Sequence, residues 1–232
     1  ILPDQWSSQK AKLLLKYLIQ TRARGYADKE RLIEFLWPES SSSKASHRLQ
    51  VTLSTLRKIL NSTISEKGAS DQYIKRKGNG YLLTLGETGW LDCDRFLNEI
   101  KAAEENQEMY VEHLLRAETL YGGDYMLGDP YIDAFENQRE FFREKYLRVL
   151  QNLIDHFEAV SDVEKCVKYA ESFLKHDPYN ESLYRALMRF HAVSGNRSKI
   201  RQTYQNCVKF LDSGLDASPG PETNTLYQEL IK

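Results

Sequence analysis

Residues 44–61, KASHRLQVTLSTLRKILN, and residues 73–85, YIKRK-GNG-YLLTL, decide the fold of the first third of the chain. At 100° per residue, the first segment predicts a helix whose apolar residues share one face. That apolar face consists of Ala45, Leu49, Leu53, Leu56 and Leu60. The second segment predicts a β-hairpin, because Gly78, Asn79 and Gly80 tolerate positive φ between two short strands.

The opposite face of the predicted helix 44–61 contains no acidic residue. It is made of Lys44, His47, Val51, Ser54, Thr55 and Lys58, with Arg48 and Arg57 on its flanks. Residues 44–81 contain eight Lys or Arg and two acids, a balance of +6, although the whole chain has a net charge of −1. Local basicity in a nearly neutral chain is typical of a phosphate-binding surface.

Two more helices are predicted before this segment. Ser7 or Ser8 can cap the first, which runs to about Ala23, and Asp28 can cap the second, which ends before Pro38. Their apolar faces are Ala11, Leu14, Leu15, Leu18 and Ile19 in the first helix, and Leu32, Ile33, Leu36 and Trp37 in the second. Three short helices and a hairpin predict a helix-turn-helix domain with a wing over residues 1–85.

The motifs of this region resemble those of the OmpR/PhoB-type winged helix. They are Leu32-Ile33-x-x-Leu36-Trp37, Leu56-Arg57-Lys58-x-Leu60 and Gly78-x-Gly80-Tyr81. Trp37-Pro38-Glu39 and Leu49-Gln50 are similar to the antibiotic-regulatory-protein branch of bacterial activators. That family has a short β-sheet before its first helix, and the residues before Ser7 leave no room for one. The abrupt start is typical of a fragment of a longer chain.

The resemblance implies that helix 44–61 enters the major groove of DNA, where its outer face reaches base edges. The candidate contact residues on the helix are Lys44, His47, Arg48, Val51, Thr55, Arg57 and Lys58. Val51, an apolar residue amid polar ones, is suited to a thymine methyl group. Arg57 is equally well placed to pair with an acid of its own domain. The alternative is a solvated helix with one exposed valine.

The candidate contact residues of the hairpin are Lys75, Arg76, Lys77 and Asn79. Side chains alternate along a strand, so Lys75 and Lys77 share one face. The resemblance implies a wing that reaches the minor groove or its phosphates. The alternative is an edge strand that charge protects from aggregation. Gly78-x-Gly80 does not predict a nucleotide-phosphate loop, because a strand follows it and not a helix.

Residues 86–91 form a predicted connector, and residues 92–232 are helical by pattern. The predicted helices lie at about 93–106, 109–121, 131–160, 163–176, 180–194, 197–212 and 221–231. A 34-residue offset pairs Leu153 with Leu187, Phe157 with His191, Cys166 with Ile200, Ala170 with Tyr204 and Phe173 with Cys207, which is typical of tetratricopeptide repeats. Such repeats bury their apolar sides by stacking.

The aromatic residues of this region are open to two interpretations. Phe157, Tyr169, Phe173, Tyr184, Phe190, Tyr204 and Phe210 either form core between stacked helices or line a concave peptide-binding surface. Residues 92–164 contain 18 acids and seven Lys or Arg, a balance of −11. That excess fits a basic partner, and it equally serves to keep the region away from DNA.

Several motifs of residues 92–232 resemble the bacterial transcriptional activator domain, which follows the winged helix in its family. They are Leu120-Tyr121-x-Gly123-Asp124-Tyr125, Arg139-Glu140, Tyr184-Arg185-x-Leu187-Met188-Arg189 and Pro221-Glu222-Thr223-x-x-Leu226-Tyr227. The resemblance implies an activator that contacts RNA polymerase and forms homo-oligomers or binds protein partners through its helical repeats.

The sequence therefore predicts a mainly α protein, with a winged helix-turn-helix followed by an all-α tetratricopeptide-like domain. We expect a cytoplasmic regulator that binds double-stranded DNA and no membrane. The cysteines, Cys93, Cys166 and Cys207, are widely spaced and suit a reducing compartment. No pattern predicts catalysis, a metal site or a cofactor. The alternative is an interaction scaffold whose winged helix no longer binds DNA.

Overall fold

The computed structural model describes residues 6–39, 42–63, 73–86 and 89–232, with helix side chains in the second range described from residue 44 to residue 61. The chain divides into two compact units, Ile1–Trp90 (unit 1) and Leu91–Lys232 (unit 2). The division falls at the end of the predicted connector 86–91. Each unit has its own cluster of buried apolar side chains.

Unit 1 combines helices with a small antiparallel sheet. In chain order its elements are α1 (Gln9–Thr21), a 3₁₀ turn (Arg22–Arg24), β1 (Ala27–Asp28), α2 (Lys29–Leu36), α3 (Ser42–Thr63), β2 (Ile74–Lys77) and β3 (Gly80–Leu83). The strand order is β1-β3-β2. The sequence did not predict strand β1. Two residues are too few to show an alternating pattern, and what identifies β1 is its hydrogen-bonded pairing with β3.

Local signals place the ends of the first helices. The Ser8 side chain accepts a hydrogen bond from the Ala11 amide at 3.3 Å, and Asp28 accepts one from the Glu30 amide at 2.8 Å. Both arrangements satisfy amides that a helix start leaves without partners. Gly25, with φ of +97°, ends the 3₁₀ turn after α1. Of the predicted apolar faces, Ala11, Leu14, Leu18, Leu32 and Leu36 are fully buried, whereas Leu15, Ile19, Ile33 and Trp37 are only partly buried.

The regular secondary structure of unit 2 is all helical. Its elements are α4 (Asp92–Glu105), α5 (Tyr110–Leu120), a 3₁₀ turn (Asp133–Phe135), α6 (Glu136–Ala159), α7 (Val163–His176), α8 (Glu181–Val193), α9 (Arg197–Leu215) and α10 (Pro221–Ile231). Each helix packs against the next along the chain. The predicted helix 131–160 is wrong at its start, because residues 121–132 form a loop. In the part of the chain that the structure describes, no helix has the length and apolarity needed to cross a membrane.

Two arginines of α6, one buried and one partly buried, hold this loop in place. Arg139, 6% exposed, donates to the backbone carbonyls of Tyr125 at 3.3 Å and Asp129 at 3.1 Å. Asp124 accepts from the Tyr121 hydroxyl at 3.0 Å and from Arg143 at 2.7 Å. Although burial raises the pKa of Asp124, the hydrogen bonds from Arg143 and Tyr121 lower it overall. Residues that appeared in the sequence as separate motifs therefore form one structural network.

A second network attaches the last helix to α8. The Glu181 carboxylate accepts from the Thr223 hydroxyl at 2.6 Å and from the Gly220 amide at 2.9 Å. Arg185 donates to Thr223 at 3.1 Å and lies 3.2 Å from Glu222. Thr223 is fully buried, so its two hydrogen bonds satisfy a hydroxyl that burial would otherwise destabilise. Two motifs that lie about 40 residues apart in sequence thus meet in one contact.

The core of unit 2 contains most of the residues paired by the 34-residue offset. Tyr204 is half-buried, and the other nine are buried: Leu153, Phe157, Cys166, Ala170, Phe173, Leu187, His191, Ile200 and Cys207. Among the aromatic residues, the core interpretation fits Phe157, Tyr169, Phe173, Tyr184 and Phe190, which are all buried. Phe210, in contrast, is 39% exposed. The assignment of these helices to tetratricopeptide repeats stays a prediction.

We expect residues 92–232, expressed alone, to remain helical and to unfold in one cooperative transition. Their helices bury a continuous apolar cluster that contains no residue of unit 1. Circular dichroism during heating and limited proteolysis measure this directly. A fragment that melts without a transition, or that proteases degrade along its whole length, would show that the helical unit depends on the first 91 residues.

Candidate nucleic-acid interface

Helix α3 packs one side into the core of unit 1. The side chains that are fully buried on this side are Ala45, Leu49, Leu53 and Leu56, as predicted. Leu60, the fifth predicted residue, is only partly buried, whereas Ile59 is 6% exposed. Ile59 belongs to the same cluster as Ile74 and Leu83 of the hairpin, a neighbour that helical periodicity does not reveal. The core therefore fixes which side of α3 meets solvent.

The solvent side of α3 presents a surface that we name the basic face: Lys44, His47, Arg48, Val51, Thr55 and Lys58. All of these side chains are exposed except Thr55, which is half-buried and donates to the Val51 carbonyl at 3.0 Å. Val51 is 53% exposed. The sequence of α3 contains no Asp or Glu, so no carboxylate of this helix reduces the positive potential of the face.

Two side chains of α3 connect the helix to the hairpin. Arg57 donates to the backbone carbonyl of Ile74 in β2 at 3.0 Å, and Gln50 donates to the Tyr81 hydroxyl in β3 at 2.8 Å. The predicted partner of Arg57 was DNA or an acid, and the structure gives its guanidinium a strand carbonyl. These contacts fix the helix and the hairpin relative to each other. Sequence reasoning did not find the role of Gln50, because its partner lies 31 residues away.

The strand register sorts the basic residues of the hairpin onto two faces. Lys75 pairs with Leu82 and Lys77 with Gly80, while Arg76 pairs with Tyr81. Because side chains alternate, Arg76 shares the sheet face of the buried Tyr81, and Lys75 and Lys77 share the other face, as predicted. The three cations are exposed. The hairpin can therefore present positive charge on both of its faces.

The turn of the hairpin is tied to β1 and α2. It consists of Gly78 and Asn79, with φ of +56° at Gly78, and the Asn79 carbonyl accepts from the Lys29 amide at 3.0 Å. A Cβ on Gly80 would lie 2.2 Å from the Ala27 carbonyl oxygen, so the β1–β3 pairing requires glycine there. The turn is thus held against β1 and the start of α2, with the Asn79 side chain exposed.

An aromatic side chain lies beside Lys77, the last lysine of the hairpin. The Lys77 Nζ is 5.9 Å from the centroid of the Tyr26 ring, and Tyr26 is 44% exposed. A cation at this distance from an aromatic face is weakly attracted to it. Sequence reasoning did not find Tyr26, since it lies just before a strand that has no pattern of its own.

Residues 91–231 match the family model of the bacterial transcriptional activator domain. The match covers more than half of the chain, and the chain belongs to this family. The chain is similar to the transcriptional regulatory protein MoaR1 of Mycobacterium tuberculosis, with 23% identity over 231 residues, 96% of this chain and 72% of that protein. It is 24% identical to MoaR1 of Mycobacterium bovis over 242 residues, with the same coverage of both chains.

One solved structure has the same fold. The chain aligns to Mycobacterium tuberculosis EmbR, solved in complex with a low-affinity phosphopeptide, with a TM-score of 0.68 and 20% sequence identity. The alignment covers 97% of this chain and 60% of that chain. The likeness therefore extends over both units of this chain, whereas two fifths of the EmbR chain have no counterpart in it.

Proposed function

We propose that the chain is a cytoplasmic, DNA-binding regulator of bacterial transcription. Unit 1 is a winged helix-turn-helix of the OmpR/PhoB type that binds double-stranded DNA, with α3 as its recognition helix and the β2–β3 hairpin as its wing. Unit 2 is a tetratricopeptide-like domain that makes oligomer or partner contacts, and activation proceeds through RNA polymerase. No residue of the chain has a catalytic role. The relatives' names, which describe transcriptional regulatory proteins, support the proposal.

The observation that carries the DNA proposal is the basic face of α3. One side of the helix is fully buried, and the other exposes three cations, a histidine and a valine without any acid. A recognition helix needs this division, because its inner side must hold the domain together while its outer side enters the major groove. Cations there provide phosphate contacts, and Val51 is available to a thymine methyl group.

Fluorescence anisotropy with a labelled random duplex at low salt tests this function. We expect saturable binding by the whole chain, with log K falling linearly as log salt rises, because binding releases condensed counterions. Folded protein that fails to bind at about 50 mM salt would favour the interaction scaffold, whose winged helix has lost DNA binding.

Replacing Lys75 and Lys77 together with Gln should weaken binding of all sequences. Each phosphate contact contributes about −0.9 to the slope of log K against log salt, so the slope should become shallower by up to about 1.8. Melting should stay close to wild type, since both lysines are exposed. Changing Lys101 and Lys209 of unit 2 to Gln is the matched control and should leave the slope unchanged. An unchanged slope in the wing variant would remove the hairpin from the interface.

A further inference from the structure

A cavity of about 280 Å³ lies among α7, α8 and α9. Its apolar lining comes from Leu174, Tyr184, Leu187 and Phe210. Phe210 is the aromatic residue of the repeats that the core leaves 39% exposed. The volume is close to the lower end of the range for small-ligand sites, which combine an apolar lining with a few polar groups.

Two buried polar side chains that line this cavity have no hydrogen-bond partner among the residues that the structure describes. His191 is 6% exposed and Thr203 is 5% exposed. Neither the imidazole nitrogens of His191 nor the hydroxyl of Thr203 bonds to another described residue, and none of these atoms is fully buried. They therefore keep hydrogen-bonding capacity for water or a ligand in the cavity. The two side chains come from neighbouring helices, α8 and α9, and line the same cavity.

The charges around the cavity favour an anion. Lys175 and Lys199 line it together with one acid, Glu171. Burial lowers the pKa of His191, so its imidazole is neutral near pH 7. The net charge of the side chains that line the cavity is then +1. Lys199 lies in the first turn of α9, a turn without an acidic residue, where the helix dipole adds positive potential.

We propose that this cavity binds a small organic carboxylate with an apolar tail. The carboxylate lies among Lys199, His191 and Thr203, and the tail packs on Leu187 and Phe210. Lysine and a neutral imidazole with its N–H directed inward are donors that a carboxylate accepts from, and charge-assisted hydrogen bonds of this kind are the stronger ones. The site lies within unit 2 and does not depend on the DNA-binding proposal.

NMR of the whole isotope-labelled chain, titrated with 3-phenylpropionate, tests the proposal. We expect saturable shifts of the His191 imidazole and the Thr203 methyl signals, and a rise in the pKa of His191 on binding, because a nearby carboxylate favours the charged imidazole. The neutral 3-phenylpropanamide has the same tail and should bind at least about tenfold more weakly. Equal binding of acid and amide, or the absence of saturable shifts, would overturn the proposal.

Matched variants on α9 separate the site from general charge effects. Lys199→Met should weaken binding of 3-phenylpropionate at least about tenfold. Lys209→Met, an exposed lysine on the same helix but outside the cavity, should leave binding unchanged. Both side chains are exposed, so the backbone spectra of both variants should match wild type. Equal affinities of the two folded variants would show that the carboxylate does not meet Lys199.

Discussion

Val51→Asp should weaken the binding of duplex DNA at least about hundredfold. The substitution places a carboxylate at the centre of the basic face, where like charges brought together across an interface cost several kcal/mol and about 1.4 kcal/mol corresponds to a tenfold change. The folded state should survive, because Val51 is 53% exposed and contributes little to the core. Fluorescence anisotropy of a labelled duplex at fixed salt gives the affinity, and thermal melting confirms the fold.

Val193→Asp provides the control for this substitution. Val193 is 75% exposed and lies at the end of α8 in unit 2, so the same chemical change adds the same net charge away from the basic face. We expect at most a severalfold loss of affinity from the added charge. If the two variants bind DNA equally well, the exposed side of α3 does not face the duplex.

Leu153→Ala should destabilise unit 2 by about 2–5 kcal/mol, the range for removing a buried leucine side chain. Leu153 is fully buried in the cluster that joins α6 to its neighbours. The loss combines two terms, the transfer free energy of the removed side-chain atoms and the cost of the cavity that they leave. Urea unfolding followed by circular dichroism measures the free energy, and the slope with urea should stay the same.

Leu215→Ala is the matched control for the core substitution. Leu215 is 56% exposed at the end of α9, and its loss should change the free energy of unfolding by no more than about 0.5 kcal/mol. A Leu153 variant as stable as this control would place Leu153 outside the core and would break the 34-residue alignment with Leu187.

Periodic patterns predicted the helices and the buried side of α3 well. The 3.6-residue period depends on burial, and Leu49, Leu53 and Leu56 are buried because one core lies on that side. The pattern predicted a start for α6 that is too early. Residues 131–135 fit the helical period but lie before Glu136, where the helix begins. Hydrogen bonds from Arg139 to backbone carbonyls hold the preceding loop, and the local sequence does not predict these tertiary contacts.

The residues of the candidate interface can be chosen from the sequence, and their role in DNA binding stays a prediction; the contacts that connect them within the fold cannot be predicted from the sequence. The absence of acids from α3 and the run of cations at Lys75–Lys77 are visible in the sequence. The contacts of Arg57 and Gln50 with the hairpin are not visible in the sequence, because their partners depend on how the strands fold back. The unpartnered His191 was likewise invisible, since the sequence shows a histidine at a core position and not which groups surround it.

Selection of bound sites from a random duplex library tests the central claim, that the exposed side of α3 reads DNA, most directly. We expect wild type to enrich a defined sequence, and the Lys75, Lys77 double Gln variant to select the same sequence, because phosphates carry no sequence information. Val51→Asn should change the preferred base at one or two adjacent positions, as each base contact is worth about 1–3 kcal/mol. No enrichment by folded wild-type protein, or the same site selected by Val51→Asn, would contradict the account.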